Sequence, residues 1–182
     1  MSSSIPPSFN QYKIHSAIPP SAQNMTAQQS LLACSVLDLF TGYPSKRKLA
    51  LWTDDASFHD PLTIAEGRKQ FEAQWYGLKA VMSDIVPEHA EVVSNGNPIE
   101  MKTKLRYKIK AVGKEQVIES RVLVHTTGEG DAQKITKVED RWNGDVPSDG
   151  FFAKAMRNLN SVSVPTFVKV PASIEEEEAA EK

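Results

Sequence analysis

The sequence predicts an α+β domain in which a curved antiparallel sheet and N-terminal helices form a cone. Apolar residues recur at helical spacing up to about residue 82, and after Pro87 the repeat shortens to two residues, as in strands. Turn signals at Asn95-Gly96, Gly113 and Gly128-Glu129-Gly130 separate the predicted strands. Helices followed by a meander of strands indicate helices that pack on one face of the sheet.

Three helices are predicted in the first half of the chain. The first begins at the capping box of Thr26 and continues through Phe40. The second is short and includes Trp52, after which the sequence indicates a sharp break. The third runs over residues 67–82 and places these apolar residues on one face: Phe71, Trp75, Leu78 and Met82.

The strand over residues 101–110 alternates most regularly, with basic residues in one phase and apolar residues in the other. Acidic residues such as Glu119 and Glu139 share the basic phase on the next strands, which predicts a ladder of ion pairs facing water. No exposed aromatic residues interleave with the lysines, so we expect no nucleic-acid partner. The opposite phase faces the cone interior and comprises Met101, Thr103, Leu105, Tyr107, Ile109, Ile118, Ser120, Val122, Val124, Thr136, Val138, Asp140 and Trp142.

The composition suits one globular domain with tails, because the chain has 182 residues, 40% apolar content and a net charge of −2. We predict a Pro/Ser-rich arm over residues 1–24, a cone domain over 25–170 and an acidic, disordered tail over 171–182. The arm is either disordered or laid across the domain as a strap. No apolar stretch reaches the roughly 18 residues of a membrane span. We expect a cytoplasmic protein without membrane contact, with nuclear entry as the alternative.

Two aspartates are the candidate chemical groups. Asp140 falls in the inward, apolar phase of the last strand, where a carboxylate is costly to bury unless it is paired, hydrogen-bonded or protonated. Asp60 precedes Pro61 and shares a phase with Phe58. Each has a plain structural alternative, since Asp-Pro often only initiates a turn and Asp140 lies near the end of its strand. Two carboxylates in one apolar chamber would raise at least one pKa and support proton transfer.

The segment Leu51-Trp52-Thr53-Asp54-Asp55-Ala56, followed by Asp60-Pro61 and Gly67-Arg68, resembles the superfamily of nuclear transport factor 2, SnoaL-like cyclases and ketosteroid isomerases. The similarity covers roughly Thr26 to Trp142. It implies a cystatin-like, nuclear transport factor 2-like cone and places Asp60 at the general-base position of ketosteroid isomerases. The resemblance also implies a homodimer and no cofactor.

The two hydrogen-bond donors of ketosteroid isomerases are missing from the matching positions, where this chain has Val36 and Val122. Loss of one such donor typically lowers the rate about 10²–10³-fold. Ketosteroid isomerisation itself is therefore not expected. SnoaL-like cyclases place an acid on the last strand, and Asp140 is similar to it.

The sequence hypothesis is a site for a small hydrophobic molecule, with Asp60 and Asp140 as proton-transfer groups of a cofactor-independent isomerase, dehydratase or cyclase. The alternative is a non-catalytic module of the same fold that binds a ligand or a protein partner, or serves only for dimerisation. The histidines have no spacing that builds a metal site. The residues predicted to line the pocket are Trp52, Phe58, Trp75, Tyr107, Val122, Val138 and Trp142.

Overall fold

A computed structural model of the chain describes residues 7–18, 24–144, 150, 152–154, 156 and 168–182. Its helices include α1 (Pro7–Gln11), α2 (Ala27–Phe40), α3 (Lys46–Leu49), α4 (Arg68–Val81) and α5 (Ile174–Ala180). Its strands are β1 (Trp52–His59), β2 (Ile64–Glu66), β3 (Met82–Ser94), β4 (Ile99–Ile109), β5 (Glu115–Thr127) and β6 (Lys134–Trp142). The α+β class and the curved sheet are confirmed.

The six strands form one sheet in the order β2-β1-β6-β5-β4-β3. The prediction of an antiparallel sheet is wrong at one junction, because β1 runs parallel to β6. The prediction that Trp52 belongs to a helix is also wrong, since Trp52 opens β1. Pairing with β6, far along the chain, decides the conformation of this segment, and helical spacing within a few residues cannot reveal that pairing.

The first edge of the meander begins earlier than predicted. Strand β3 starts directly after α4, at Met82, rather than after Pro87. Pro87 lies inside this strand opposite Leu105, at a register shift. β3 is an edge strand, and prolines within sheets occur on edge strands and at such irregularities.

The predicted two phases of the strands are present. Lys104 contacts Glu119 at 3.1 Å, and Arg106 contacts Glu88 at 3.2 Å and Glu115 at 3.3 Å on the outer face of the sheet. The inward phase is buried, except that Thr136 and Trp142 are only partly so. The predicted ladder of ion pairs is therefore present on this face of the sheet.

An aromatic cluster fills the space between α2, α4 and β1. Trp75 lies against Phe58 with ring centroids 4.6 Å apart and against Phe40 at 5.0 Å. Trp52 lies 5.0 Å from Phe71 on the other side of the cluster. Trp52 and Trp75 lie 6.2 Å apart, so these rings form one continuous cluster.

The described part of the N-terminal arm is a strap, the second of the two predicted alternatives. The backbone amides of His15 and Ser16 donate to the two carboxylate oxygens of Asp38 on α2, at 2.8 and 2.6 Å. Asp38 is fully buried and pairs with the Lys48 ammonium at 2.8 Å. The strap is therefore fastened to the domain through a buried ion pair.

The prediction of a disordered acidic tail is wrong for residues 174–180, which form α5. Glu177 is buried, and its carboxylate accepts hydrogen bonds from the Tyr76 hydroxyl and from the Lys46 amide, the latter at 3.0 Å. Arg47 pairs with Glu178 at 2.7 Å. A run of glutamates predicts a solvated tail, and the sequence does not show that a basic surface and a tyrosine lie opposite it.

Candidate functional site

Asp60 lies at the turn that connects β1 to β2. Its amide donates to the Thr63 carbonyl at 3.0 Å, and the Leu62 amide donates to its Oδ1 at 2.7 Å. Proline at the second position of this turn supplies the required φ, and an aspartate before it accepts from the residue two positions on. Asp60 can therefore both form the turn and serve in a site, because the turn also fixes the direction of its carboxylate.

The sheet places Asp60 beside Asp140. Strands β1 and β6 are parallel, with Phe58 opposite Val138. Residues two positions further along each strand lie on the same face, so Asp60 follows Phe58 as Asp140 follows Val138. The two candidate carboxylates therefore converge at the same end of the parallel pair, although 80 positions of sequence numbering separate them.

Asp140 is 6% exposed and carries one clear hydrogen bond. Its Oδ2 accepts from the Trp142 indole Nε1 at 2.7 Å. Its Oδ1 is buried, and no described residue donates to it with ordinary hydrogen-bond geometry. The Ser120 hydroxyl, 2.9 Å from the Thr103 hydroxyl, also stabilises the carboxylate and, with the Trp142 indole, lowers the pKa of Asp140.

Burial shifts the pKa values of both carboxyl groups toward neutral pH. It raises the pKa of Asp140 to about 7, and the charge of Asp60 adds to the rise, against the hydrogen bonds from Ser120 and Trp142. Burial also raises the pKa of Asp60 to about 6, against hydrogen bonds from Leu62 and Thr63. Near pH 6.5 one group is largely ionised and the other largely protonated, the state that acid–base chemistry requires.

The space between the two carboxylates is small. The enclosed chamber has a volume of about 20 Å³, enough for about one water molecule. Asp60, Asp140 and Trp142 also line an open depression of about 390 Å³ on the outside, beside His59 and Pro61. The residues that line the chamber are Phe40, Phe58, Asp60, Gln74, Trp75, Leu78, Tyr107, Ile118, Asp140, Trp142, Phe152 and Met156.

The structure brings four of the seven predicted lining residues to the chamber, namely Phe58, Trp75, Tyr107 and Trp142. The other three pack in the core, fully buried and away from the chamber wall: Trp52, Val122 and Val138. The register of each strand gives the inward phase but not the depth along the cone. Depth depends on how far the helices reach, which tertiary packing alone decides.

Gln74 is the polar lining residue that the sequence analysis missed. It lies on the stripe of α4 that also carries Phe71 and Leu78, and it is 3% exposed. A polar residue in an apolar helical stripe is the signal that would have found it. Tyr107 on β4 is also buried, and its pKa is raised well above 10 by burial and by the charges of Asp140 and Asp60.

Phe152 and Met156 close the chamber from a segment that is helical at its described positions. The Phe152 ring lies 5.8 Å from Tyr107 and 6.1 Å from Trp142. The sequence predicts a helix with apolar anchors over residues 149–160. Among these anchors Phe151, Ala155 and Leu159 lie outside the residues whose side chains are described.

The positions of the missing donors are apolar, as the sequence states. Val36 and Val122 are both fully buried.

Within the described ranges, no three His, Cys, Asp or Glu residues are grouped so that they could hold a metal ion. None of the helices in the described part of the chain has the length and apolar content needed to cross a bilayer.

Comparison with solved structures places this geometry among known folds. A steroid delta-isomerase from Pseudomonas aeruginosa is 12% identical, with a TM-score of 0.55, over 83% of this chain and 98% of that one. Hexachlorocyclohexane dehydrochlorinase LinA-type3 from Novosphingobium barchaimii LL02 is 15% identical, with a TM-score of 0.52, over 69% and 90%. A de novo designed protein with a curved β-sheet is 14% identical, with a TM-score of 0.50, over 74% and 99%.

No protein-family profile and no curated protein matches the sequence. At these identities the structural similarity concerns the fold, and it confirms the cone of the nuclear transport factor 2-like and ketosteroid isomerase-like proteins. The designed protein shares the curved sheet too, so the fold by itself implies no reaction.

Proposed function

We propose that the chain binds a small hydrophobic molecule between Asp60 and Asp140 and catalyses a proton transfer without a cofactor, as an isomerase, dehydratase or cyclase. The observation that carries the proposal is the convergence of two carboxyl groups on one largely apolar chamber, with pKa values raised to about 6 and about 7. Such a pair supplies a base and an acid at the same pH.

The chemistry follows from the two protonation states. Ionised Asp60 removes a proton from a carbon next to a carbonyl group, and protonated Asp140 delivers its proton to another atom of the substrate. In an isomerisation that atom is a carbon, and in a dehydration it is a leaving hydroxyl, which departs as water. Asp60 then holds the proton taken from the substrate carbon, Asp140 is ionised, and proton exchange with solvent restores the starting state of both groups.

The chamber limits how a substrate can bind. About 20 Å³ does not hold a ring, so Phe152 and Met156 have to move aside when a substrate enters. The outer depression beside His59 and Trp142 borders the same two carboxylates and offers an approach to them. A substrate of a few heavy atoms, largely apolar and bearing one oxygen, fits these walls best.

Two small ketones that give the same product test the proposal. Cyclohex-3-enone gives cyclohex-2-enone by isomerisation, and 3-hydroxycyclohexanone gives it by loss of water, so ultraviolet absorbance reports both reactions. We expect turnover by the wild-type protein and at least about a hundredfold loss in Asp60→Asn or Asp140→Asn. The control is Asp55→Asn, an exposed aspartate on β1. Turnover of neither ketone by the wild type, or turnover that survives in both site variants, would defeat the proposal.

The second candidate is a non-catalytic module that uses the same cone for a protein partner. The observation that favours it is the small chamber, which the aromatic cluster and Phe152 fill almost completely. Absence of turnover at every pH over which the two carboxyl groups titrate, together with partner binding that is unchanged in Asp140→Asn, would decide for it.

We further propose that two copies form a homodimer in the cytoplasm. The single cysteine, Cys34, is buried and free, as suits a reducing compartment. The family resemblance supports the dimer. Light scattering coupled to size-exclusion chromatography tests the assembly, and cell fractionation tests the location.

A further inference from the structure

Three polar side chains line the chamber from three different elements, namely Asp140 on β6, Gln74 on α4 and Tyr107 on β4. Oδ1 of Asp140 is buried without a hydrogen-bond partner among the described residues. The side chains are 6%, 3% and 6% exposed. In the described part of the chain, no hydrogen bond engages the Gln74 amide or the Tyr107 hydroxyl.

Unpaired polar groups at this depth are unfavourable. A buried donor or acceptor that loses its partner destabilises a protein by about 1–3 kcal/mol, and native proteins pair most such groups with protein atoms or ordered water. A space of about 20 Å³ holds about one water molecule, which needs two to four polar partners. The chamber therefore has the size and the lining of a site for a single oxygen atom.

We infer that Gln74 and Tyr107 bind one oxygen atom of the substrate beside Asp140, and so select apolar molecules that carry a carbonyl or hydroxyl group. The inference rests on the proposed function and adds the substrate class and two substrate-binding residues. Both groups are neutral hydrogen-bond donors that can face an oxygen as it gains negative charge. A hydrocarbon in the same place would leave all three polar groups unpaired.

The tyrosine stays a donor throughout the working pH range. Its pKa lies well above 10 because of burial and the two nearby carboxylates. The glutamine amide does not titrate at all. Neither group competes with the carboxylates as acid or base, so their contribution to the site is binding and orientation.

The first test is a high-resolution crystal structure of the full chain without added ligand. We expect an ordered water within hydrogen-bond distance of at least two of the three groups, Asp140 Oδ1, the Gln74 amide and the Tyr107 hydroxyl. A chamber that is dry, or an oxygen site formed elsewhere, would overturn the inference.

The second test compares two probes of the same shape, cyclohex-2-enone and 3-methylidenecyclohexene, in which a CH₂ group replaces the oxygen. Chemical-shift titrations of the wild type and of Gln74→Met and Tyr107→Phe give the ratio of the two affinities. We expect each variant to lower the preference for the ketone about tenfold, the effect of one lost hydrogen bond. Taking the change in the ratio cancels the greater hydrophobicity of the hydrocarbon.

The matched control is Gln70→Met, which makes the same change on an exposed position of the same helix and should leave the ratio as in the wild type. If Gln74→Met does not fold, Tyr107→Phe decides alone. An unchanged ratio in the folded variants, or no binding of either probe by the wild type, would refute the inference.

The two proposals fail in different ways. Loss of turnover in the aspartate variants with an unchanged probe ratio in Gln74→Met would remove the oxygen site and leave the catalytic proposal. A ratio that depends on Gln74, with turnover in neither the wild type nor any variant, would leave an oxygen-selective binding site without catalysis.

Discussion

The indole of Trp142 donates to Asp140 at 2.7 Å, from a position two residues along the same strand. Both side chains point inward because alternate residues of a strand share a face. The bond occupies one carboxylate oxygen, while the other is buried and receives no hydrogen bond of ordinary geometry from a described residue. Trp142 thereby orients Asp140 and lowers its pKa against the larger effect of burial.

Replacing Trp142 by phenylalanine should raise the pKa of Asp140 above its value of about 7, since a hydrogen bond to the charged form is lost. A carbon-detected NMR titration of the carboxyl groups measures it. Glu139, whose pKa is lowered to about 2 by Lys137 and Arg141, lies next in sequence and should not move. An Asp140 pKa that falls or stays constant would contradict this role of the indole.

The rate of any proton transfer should have a bell-shaped pH profile. With Asp60 ionised above about pH 6 and Asp140 protonated below about pH 7, the active state is most populated between these values. The profile of kcat/KM for cyclohex-2-enone formation checks this. Asp140→Asn should lose most of the activity, and any residual kcat/KM should no longer fall on the alkaline side of the profile. A residual rate that still falls there would assign the acid to another group.

Stability should fall as the pH rises from about 4 to about 7. In this window folded Asp140 keeps a proton that the unfolded chain, with a pKa near 3.8, releases, so linkage favours unfolding. The difference between 3.8 and about 7 corresponds to a loss on the order of 4 kcal/mol. Urea unfolding at several pH values should show a flatter dependence in Asp140→Asn, whereas Asp55→Asn should follow the wild type.

The buried pair of Asp38 and Lys48 should be strongly coupled. Asp38→Asn leaves the Lys48 ammonium, which is 1% exposed, with the Tyr43 carbonyl at 2.8 Å in place of its counter-charge. We expect a loss of about 3–5 kcal/mol in unfolding free energy. The double variant Asp38→Asn, Lys48→Met should recover much of it, because no uncompensated charge remains.

Hydrogen exchange reports the strap separately. The amides of His15 and Ser16 donate to Asp38 and should exchange faster in Asp38→Asn. A single variant as stable as the wild type, or a double variant no better than the single one, would show that the pair is not what fastens the strap.

The docking of α5 should depend on Glu177 and not on the acidic character of the helix. Glu177→Gln weakens the bonds to Tyr76 and to the Lys46 amide, and we expect a loss of about 1–3 kcal/mol with faster exchange across residues 174–180. Glu175→Gln removes the same charge from an exposed position of the same helix. Equal effects of the two changes would mean that net charge alone holds α5 in place.

Much of the cone could be predicted from local patterns. The capping box at Thr26 does begin α2, the apolar spacing over residues 67–82 does give α4, and the alternation over 101–110 does give β4. Each depends on residues a few positions apart, whose period of 3.6 or 2 is set by the backbone itself. The inward position of Asp140 followed from the same alternation.

The parts that failed depend on contacts between distant segments. Trp52 joined a strand because β6 lies beside it, and the glutamates of α5 ordered because Tyr76 and Lys46 face them. Gln74 was missed because a helix pattern shows which face is buried but not which cavity that face meets.

The class of fold and the two aspartates could be predicted because periodicity and an acid in an apolar phase are local properties of the sequence. That Asp60 and Asp140 meet, that Gln74 and Tyr107 join them and that the chamber is small depend on contacts between distant segments. These contacts set the parallel register of β1 and β6 and the depth of α4, and the burial that they create raises the two pKa values.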